Sequence, residues 1–243
     1  VIVSLPMYDR AETAADTDAL WQSVRTQLGY GPQQVDRDID LWDAWLGPDL
    51  LLSQTCGLPY RTRLHGKVQL LGSPDYGLPG CPPGYYNSVF VTRHDTPGTL
   101  VEIMTRRVVI NQTHSQSGYG SLYNFARERG LTLGPICESG GHVFSARMVA
   151  DGVGDITAID AHSWRLIQRF DPHAAALREL ARTEPTPATP FITSLGQDAD
   201  ALRCALSDGI AALPRHTRDN LNLHGIAAVP AAAYLDVPNP PNR

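Results

Sequence analysis

Residues 107–130 read RVVINQTHSQSGYGSLYNFARERG, and three successive patterns within them decide the fold class. RVVIN is a short apolar run of the kind that forms a strand buried on both faces. NQTHSQSG is a stretch of small polar residues ending in glycine, the composition of a strand-to-helix turn. Beyond it Tyr119, Leu122, Tyr123 and Ala126 share one helical face, and Gly130 follows the last turn. Strand, polar turn and helix in that order are the beginning of a βα repeat.

The rest of the chain continues the alternation. Val1 to Leu5 is an apolar strand ended by Pro6, and a helix is expected from Thr13 to Leu28, with Leu20, Trp21, Val24 and Leu28 on one face and Gly29 as its stop. LWDAWLG suggests a short helix, and Leu50 to Ser53 and Val68 to Leu71 read as short strands. Tyr86 to Arg93 is a strand rich in β-branched and aromatic residues, followed by the turn HDTPG. A helix is expected from His142 to Ala150, a strand over DITAI (155–159) ending at Asp160, and a further helix over HSWRLIQRF. TEPTPATP (183–190) contains three prolines, which exclude a helix interior or a central strand. After it come a strand at Phe191 to Ser194 and a helix at Asp198 to Leu213. The reading is an α/β protein with mostly parallel sheets covered by helices. Crossovers near Arg93 and Pro187 would divide it into a discontinuous first lobe, 1–93 plus 188–243, and an inserted second lobe, 94–187.

Composition narrows the function classes. The chain has 243 residues, a net charge of -5 and 42% hydrophobic residues. No apolar run approaches the ~18 residues needed to cross a bilayer, so contact with a membrane is peripheral at most. The arginines are scattered, with no basic stripe for nucleic acid. Cys56, Cys81, Cys137 and Cys204 show no metal-binding spacing and imply no cofactor. Cys56 and Cys81 each lie in a Gly/Pro-rich turn, where a disulfide worth about 3.5 kcal/mol and a pair of reduced thiols are both open readings.

In open parallel sheets ligands bind beyond the carboxyl ends of the strands. Met7, Tyr8 and Asp9 lie there after the first strand, Thr55, Gly57 and Tyr60 after the second. Tyr85, Tyr86 and Ser88 border the crossover; Thr113, His114, Ser115, Ser117 and Gly118 follow RVVIN. Gly140, Gly141 and His142 open a helix, and Asp160, His162 and Trp164 follow DITAI. Lysine and arginine are missing from this set, which suits an oxyanion held by neutral donors at a helix start. Three readings of THSQSG stay open: a helix cap, an anion cradle, and a nucleophilic serine. The last lacks the glycines of a Gly-x-Ser-x-Gly elbow, since Thr113 and Ser117 stand where glycines belong. A serine hydrolase would have to assemble Ser117, Asp160 and His162.

The ordered set SLPMYD, QTCGLPY, GYYNSVFVTR, RVVINQTHSQSGYGSLYNF, SGGHVFSARMVADGVGDITAIDAHSW and TPATPFITS resembles the PhnD-like substrate-binding proteins of phosphate/phosphonate ABC transporters, which are type II periplasmic binding proteins. The resemblance covers nearly the whole chain. It implies two doubly wound lobes joined by two crossover strands, and a non-enzymatic protein that closes over a small oxyanion between them for an ABC permease or a sensor. By the same resemblance, Ser115, Ser117, Gly118 and His142 match the positions that hold the phosphonate or phosphate group. Tyr8, Thr55, Tyr86 and Asp160 match positions around the remainder of the ligand, and Asp160 and Glu138 are the carboxylates open to a ligand amine. A monomer in the periplasm is implied. The first residues, VIVSLP, show no signal peptide, which keeps a cytoplasmic location as the alternative. The hydrolase and an effector-binding module of a regulator are the competing functions.

Overall fold

A computed structural model describes residues 1–241. Its strands are β1 (Ile2–Ser4), β2 (Leu50–Gln54), β3 (Val68–Asp75), β4 (Tyr85–Tyr86), β5 (Ser88–Arg93), β6 (Val108–Ile110), β7 (Ile136–Glu138), β8 (Ile156–Asp160), β9 (Leu177–Arg182), β10 (Thr186–Pro187), β11 (Phe191–Ser194) and β12 (Gly225–Ala227). The chain divides into two compact units. Unit 1 comprises 1–85 and 187–236, and unit 2 comprises 86–186 with the tail from Val237. Segments β4 and β10, where the chain passes from one unit to the other, form a two-stranded ladder of their own.

These boundaries differ from a division at residues 93 and 188. Strand β5 is hydrogen-bonded to β8 and β9 and so belongs to the second sheet. The tail also belongs to unit 2, where the Tyr119 hydroxyl donates to the Pro241 carbonyl at 3.2 Å and the Asn124 amide donates to that of Pro238 at 3.0 Å. Apolar patterning marks where a strand begins and ends, whereas membership of a sheet depends on partners far away in sequence.

Each unit is built on a five-stranded sheet, in the order β1-β2-β11-β3-β12 in unit 1 and β7-β6-β8-β5-β9 in unit 2. Within unit 1, β1 pairs parallel with β2, while β11 runs antiparallel to β2 and β3. Within unit 2, β6 pairs parallel with both β7 and β8, while β5 runs antiparallel to β8 and β9. The sheets are therefore mixed. Strands β5 and β11, which each follow a passage between units, enter against the direction of their parallel neighbours.

The helices form where periodicity places apolar residues on one face. The helix Ala14–Leu28 buries Leu20, Trp21 and Val24 and ends at Gly29, whose φ of 78° is the left-handed conformation that relieves the last turn without a Cβ clash. Its neighbour Ala199–Ala212 lies against it closely enough that a Cβ on Gly209 would come within 2.9 Å of the Val24 backbone. In unit 2 the core gathers Phe90, Ile103, Met104, Val108, Ile110, Tyr119, Leu122 and Ile156. In unit 1 it gathers Trp45, Leu50, Tyr60, Leu64, Ile192 and Tyr234. Burying a side chain of this size contributes about 1.5–3 kcal/mol.

Three strands of the two five-stranded sheets escape a reading by pattern. Strand β9 (LRELAR) lies on an edge of its sheet with only Leu177 buried, and β7 and β12 are three residues each with no fully buried position. No disulfide joins Cys56 to Cys81. A disulfide needs Cβ atoms ~3.8 Å apart, and Gly/Pro content shapes each turn without bringing two turns to that separation. Among the described residues no helix is long and apolar enough to cross a membrane, and no group of side chains is arranged to hold a metal ion.

Candidate functional site

Sheet order in unit 2 explains why distant motifs converge. With β6 between β7 and β8, and all three parallel, their carboxyl ends lie side by side. Asn111 and the polar turn follow β6, Ser139 to His142 follow β7, and Asp160 closes β8.

After β6 the chain makes one π-helical turn, Gln116–Gly120, which runs directly into the helix Ser121–Glu128. Ser115 caps that run, its Oγ accepting from the Gly118 N–H at 3.0 Å. Capping is thus the role the structure gives Ser115, and the Gly118 N–H is engaged by it. Gly118 meets a strict spatial demand, because a Cβ there would lie 1.8 Å from Asn111 Oδ1. The first N–H groups of the run have no intrahelical acceptor. The Ser121 hydroxyl, donating to the Ser117 carbonyl, anchors the turn to the helix.

After β7, Ser139 organises the glycine pair. Its Oγ donates to the Gly141 carbonyl at 2.9 Å and also meets Ser145 Oγ at 2.7 Å, inside the first turn of the helix His142–Ala150. His142 is thereby held at the helix start with its side chain 14% exposed. Its Nε2 lies 3.0 Å from Ser117 Oγ, 3.4 Å from Asp160 Oδ2 and 3.5 Å from Asn111 Nδ2. Its Nδ1 is buried without a hydrogen-bond partner, as is Asn111 Oδ1. Burial pushes the His142 pKa down, with Asp160 opposing the shift. Asp160 is 3% exposed and caps the next helix, its Oδ1 accepting from the Ser163 N–H at 2.8 Å.

Sequence reasoning missed Asn111. Its signal was present as the last polar residue of RVVIN, but nothing local marks an amide that touches both the Gly118 backbone and His142. Glu138 is exposed and accepts from the Thr113 N–H at 3.1 Å. Asp155 lies at the opposite end of β8 and pairs with Arg107 at 2.8 and 3.1 Å, a structural clamp away from the cluster.

Unit 1 carries its own strand-end cluster. The Gln54 amide donates to Tyr76 Oη at 3.1 Å and to the Thr189 carbonyl and hydroxyl at 3.0 Å each. The Thr189 hydroxyl donates onward to Tyr8 Oη at 3.5 Å, and the Tyr8 and Tyr76 rings meet edge to face at 5.0 Å. Thr55 is fully buried, with its Oγ1 lacking a hydrogen-bond partner. Tyr86 is 1% exposed in the crossing strand. Tyr8 therefore belongs to one cluster, beside which Thr55 follows Gln54 in sequence, and Ser115, Ser117, Gly118, His142 and Asp160 belong to another.

The geometry argues against a charge-relay serine. Such a triad needs the carboxylate on one imidazole nitrogen and the serine on the other. Here Ser117 and Asp160 both face Nε2. His162, the base that a Ser117–Asp160–His162 set would use, is buried, and its pKa is pushed down to about 3 by desolvation and then by Arg165.

Comparison with known proteins identifies the family and the fold. The family described as "ABC transporter, phosphonate, periplasmic substrate-binding protein" matches residues 57–234. No curated protein sequence matches the chain significantly. Among solved structures, PhnD1 from Prochlorococcus marinus in complex with methylphosphonate superposes with a TM-score of 0.75 at 15% identity, over 96% of this chain and 94% of that one. A Xanthomonas citri protein bound to a chloride ion gives 0.70 at 15% identity over 98% of each chain. A binding-protein component of an ABC phosphonate transporter from Pseudomonas aeruginosa gives 0.68 at 14% identity over 93% and 80%. At these identities the superpositions establish the fold, that of type II periplasmic binding proteins. The chain belongs to the phosphonate-binding family of periplasmic ABC-transporter substrate-binding proteins, and is a binding protein rather than an enzyme.

Proposed function

Proceeding from that family, we propose that this protein captures a small tetrahedral oxyanion, a phosphonate or phosphate, in the periplasm and delivers it to an ABC permease, acting as a monomer. The observation that carries the reading is the convergence of Asn111, Ser117, His142 and Asp160 beside the opening of the 116–128 helical run. A helix start with hydroxyl and imidazole donors binds an anion without lysine or arginine. Ser117 and His142 donate to the oxyanion. Gly118 lets it approach the backbone, and Ser115 holds that turn in shape. Tyr8, Thr55 and Tyr86 are the proposed contacts for the rest of the ligand.

The substituent is uncharged in this reading. The two oxygens of Asp160 are engaged by the Ser163 N–H and by His142, and Asp9 is engaged by Arg37 at 2.5 Å. Methylphosphonate and phosphate should therefore bind more tightly than 2-aminoethylphosphonate. A thermal-shift panel of these three with sulfate and methanesulfonate tests the reading, since ligand at 100 times its Kd adds about 2.7 kcal/mol. If no tetrahedral oxyanion raises the melting temperature, the function is misassigned. A shift from 2-aminoethylphosphonate alone would overturn the uncharged substituent.

A further inference from the structure

The hydrogen-bonding of His142 is lopsided, with three polar neighbours at Nε2 and none at the buried Nδ1. Neutral imidazole has one N–H and one lone pair. With the proton on Nε2, Asp160 and Ser117 are served and the Nδ1 lone pair is left bare. With the proton on Nδ1, a buried donor has no acceptor and the Nε2 lone pair faces a carboxylate. Either neutral form leaves a nitrogen unsatisfied, at a cost of about 1–3 kcal/mol. The imidazolium would satisfy both sides only if a further acceptor arrived, and an anion is such an acceptor.

Building on the oxyanion reading, we propose that the Ser117, His142 and Asp160 cluster binds its oxyanion together with one proton, taken from solvent and held on His142, so that affinity for doubly charged ligands rises as pH falls. Without ligand, burial keeps the ring neutral against the pull of Asp160. A dianion adds two negative charges beside it and reverses the balance, because a nearby opposite charge favours the ionised form. The proton also lowers the repulsion between the ligand and Asp160. A singly charged sulfonate gains less from it, so proton uptake separates dianions from monoanions.

Other charges on elements packed against the helix 142–150 are held elsewhere or act elsewhere. Arg93 on β5 pairs with Asp95, and Arg107 before β6 pairs with Asp155. On β9, Glu179 pairs with Arg182, and Arg178 donates to the Thr96 carbonyl. The helix Ala161–Phe170 brings His162, Arg165 and Arg169, and the turn after it brings Asp171 and His173. Among all these, Asp160 is the charge that acts on the His142 ring.

Titration calorimetry of the intact chain with methylphosphonate, in buffers of different ionisation enthalpy, reads the proton directly. The expected result is uptake approaching one proton per ligand at a pH above the ordinary histidine value of 6.5 and well above the second ionisation of methylphosphonate, where the free ligand is fully dianionic. The Kd should then weaken about tenfold per pH unit, the slope set by one linked proton. NMR of the His142 ring should show it neutral in the free protein and charged in the complex at the same pH. Asp160→Asn, which keeps a helix-capping side chain, should reduce the uptake while binding persists, and His142→Gln should abolish the excess. Binding with no protein-linked uptake, or a neutral His142 in the complex, overturns the proposal and leaves the oxyanion reading standing. Absence of binding by every tetrahedral oxyanion removes both.

Discussion

Unit 1 and unit 2 each carry a π-helical turn downstream of an inner strand, Tyr60–Leu64 after β2 and Gln116–Gly120 after β6, and each gathers polar side chains at those strand ends. The gathered chemistry differs. Unit 1 links the amide of Gln54, the hydroxyl of Thr189 and the phenols of Tyr8 and Tyr76, all neutral, into one hydrogen-bonded set. Unit 2 surrounds an imidazole with a carboxylate, a hydroxyl and an amide, and leaves one ring nitrogen without a partner. A neutral, satisfied set provides shape and rigidity, whereas an ionisable, incompletely satisfied one responds to charge. The ionisable cluster of unit 2 is therefore the one we propose for the oxyanion.

The strongest way to break the contrast is Gly118→Val. Its Cβ would fall 1.8 Å from Asn111 Oδ1, so Asn111 and the turn must move. Oxyanion binding should be lost in calorimetry, and unit 2 should be destabilised by about 1–3 kcal/mol. Binding within twofold of the parent protein would show that the anion lies elsewhere.

Acid should separate the units next. The His162 pKa of about 3 lies below the ordinary 6.5, so between those values the unfolded chain binds more protons than the native state. The stabilisation is present above 6.5 and is lost as pH falls towards 3, at up to ~1.4 kcal/mol per pH unit. The depressed pKa of His142 acts in the same direction. Denaturant melts followed by Trp164 in unit 2 and by Trp21 in unit 1 should report earlier acid loss in unit 2. His162→Phe should flatten that dependence, and parallel loss in both units would contradict it.

Ser117→Ala removes one neighbour of His142 Nε2 and one proposed ligand donor. Binding should weaken about tenfold, near 1.4 kcal/mol, with the melting temperature little changed. The smallest effect belongs to unit 1. Thr55→Val replaces a buried hydroxyl that has no partner, so stability should hold or rise by up to about 1 kcal/mol. A severalfold loss of methylphosphonate affinity with that stability intact would mark Thr55 as a ligand contact; unchanged affinity would remove Thr55 from the proposed contacts.

Much of this was legible along the chain. The helix at His142–Ala150, the stop at Gly29 and the strand reaching Asp160 all announce themselves through apolar spacing and punctuation by glycine. Those signals are local, because helix and strand periods are local. The π-helical turns were not legible, since one extra residue in a turn leaves no periodic trace. Asn111 was passed over because its neighbours in space, Gly118 and His142, come from later turns. Of the two open readings of Cys56 and Cys81, the structure carries the free thiols; the sequence could not choose between them because turn composition carries no distance between turns.

By itself the sequence determined that the chain alternates strands and helices, that Ser115, Ser117, Gly118, His142 and Asp160 stand at strand ends, and, through resemblance, to which family it belongs. Backbone propensity, side-chain period and motif order suffice for that. Only the tertiary structure decided that the Ser115 hydroxyl caps its turn, that β5 belongs to unit 2, and that Ser117 and Asp160 meet the same nitrogen of His142. Those outcomes depend on which strand lies beside which, and the parallel order β7-β6-β8 is set by long-range burial that no short stretch of residues encodes.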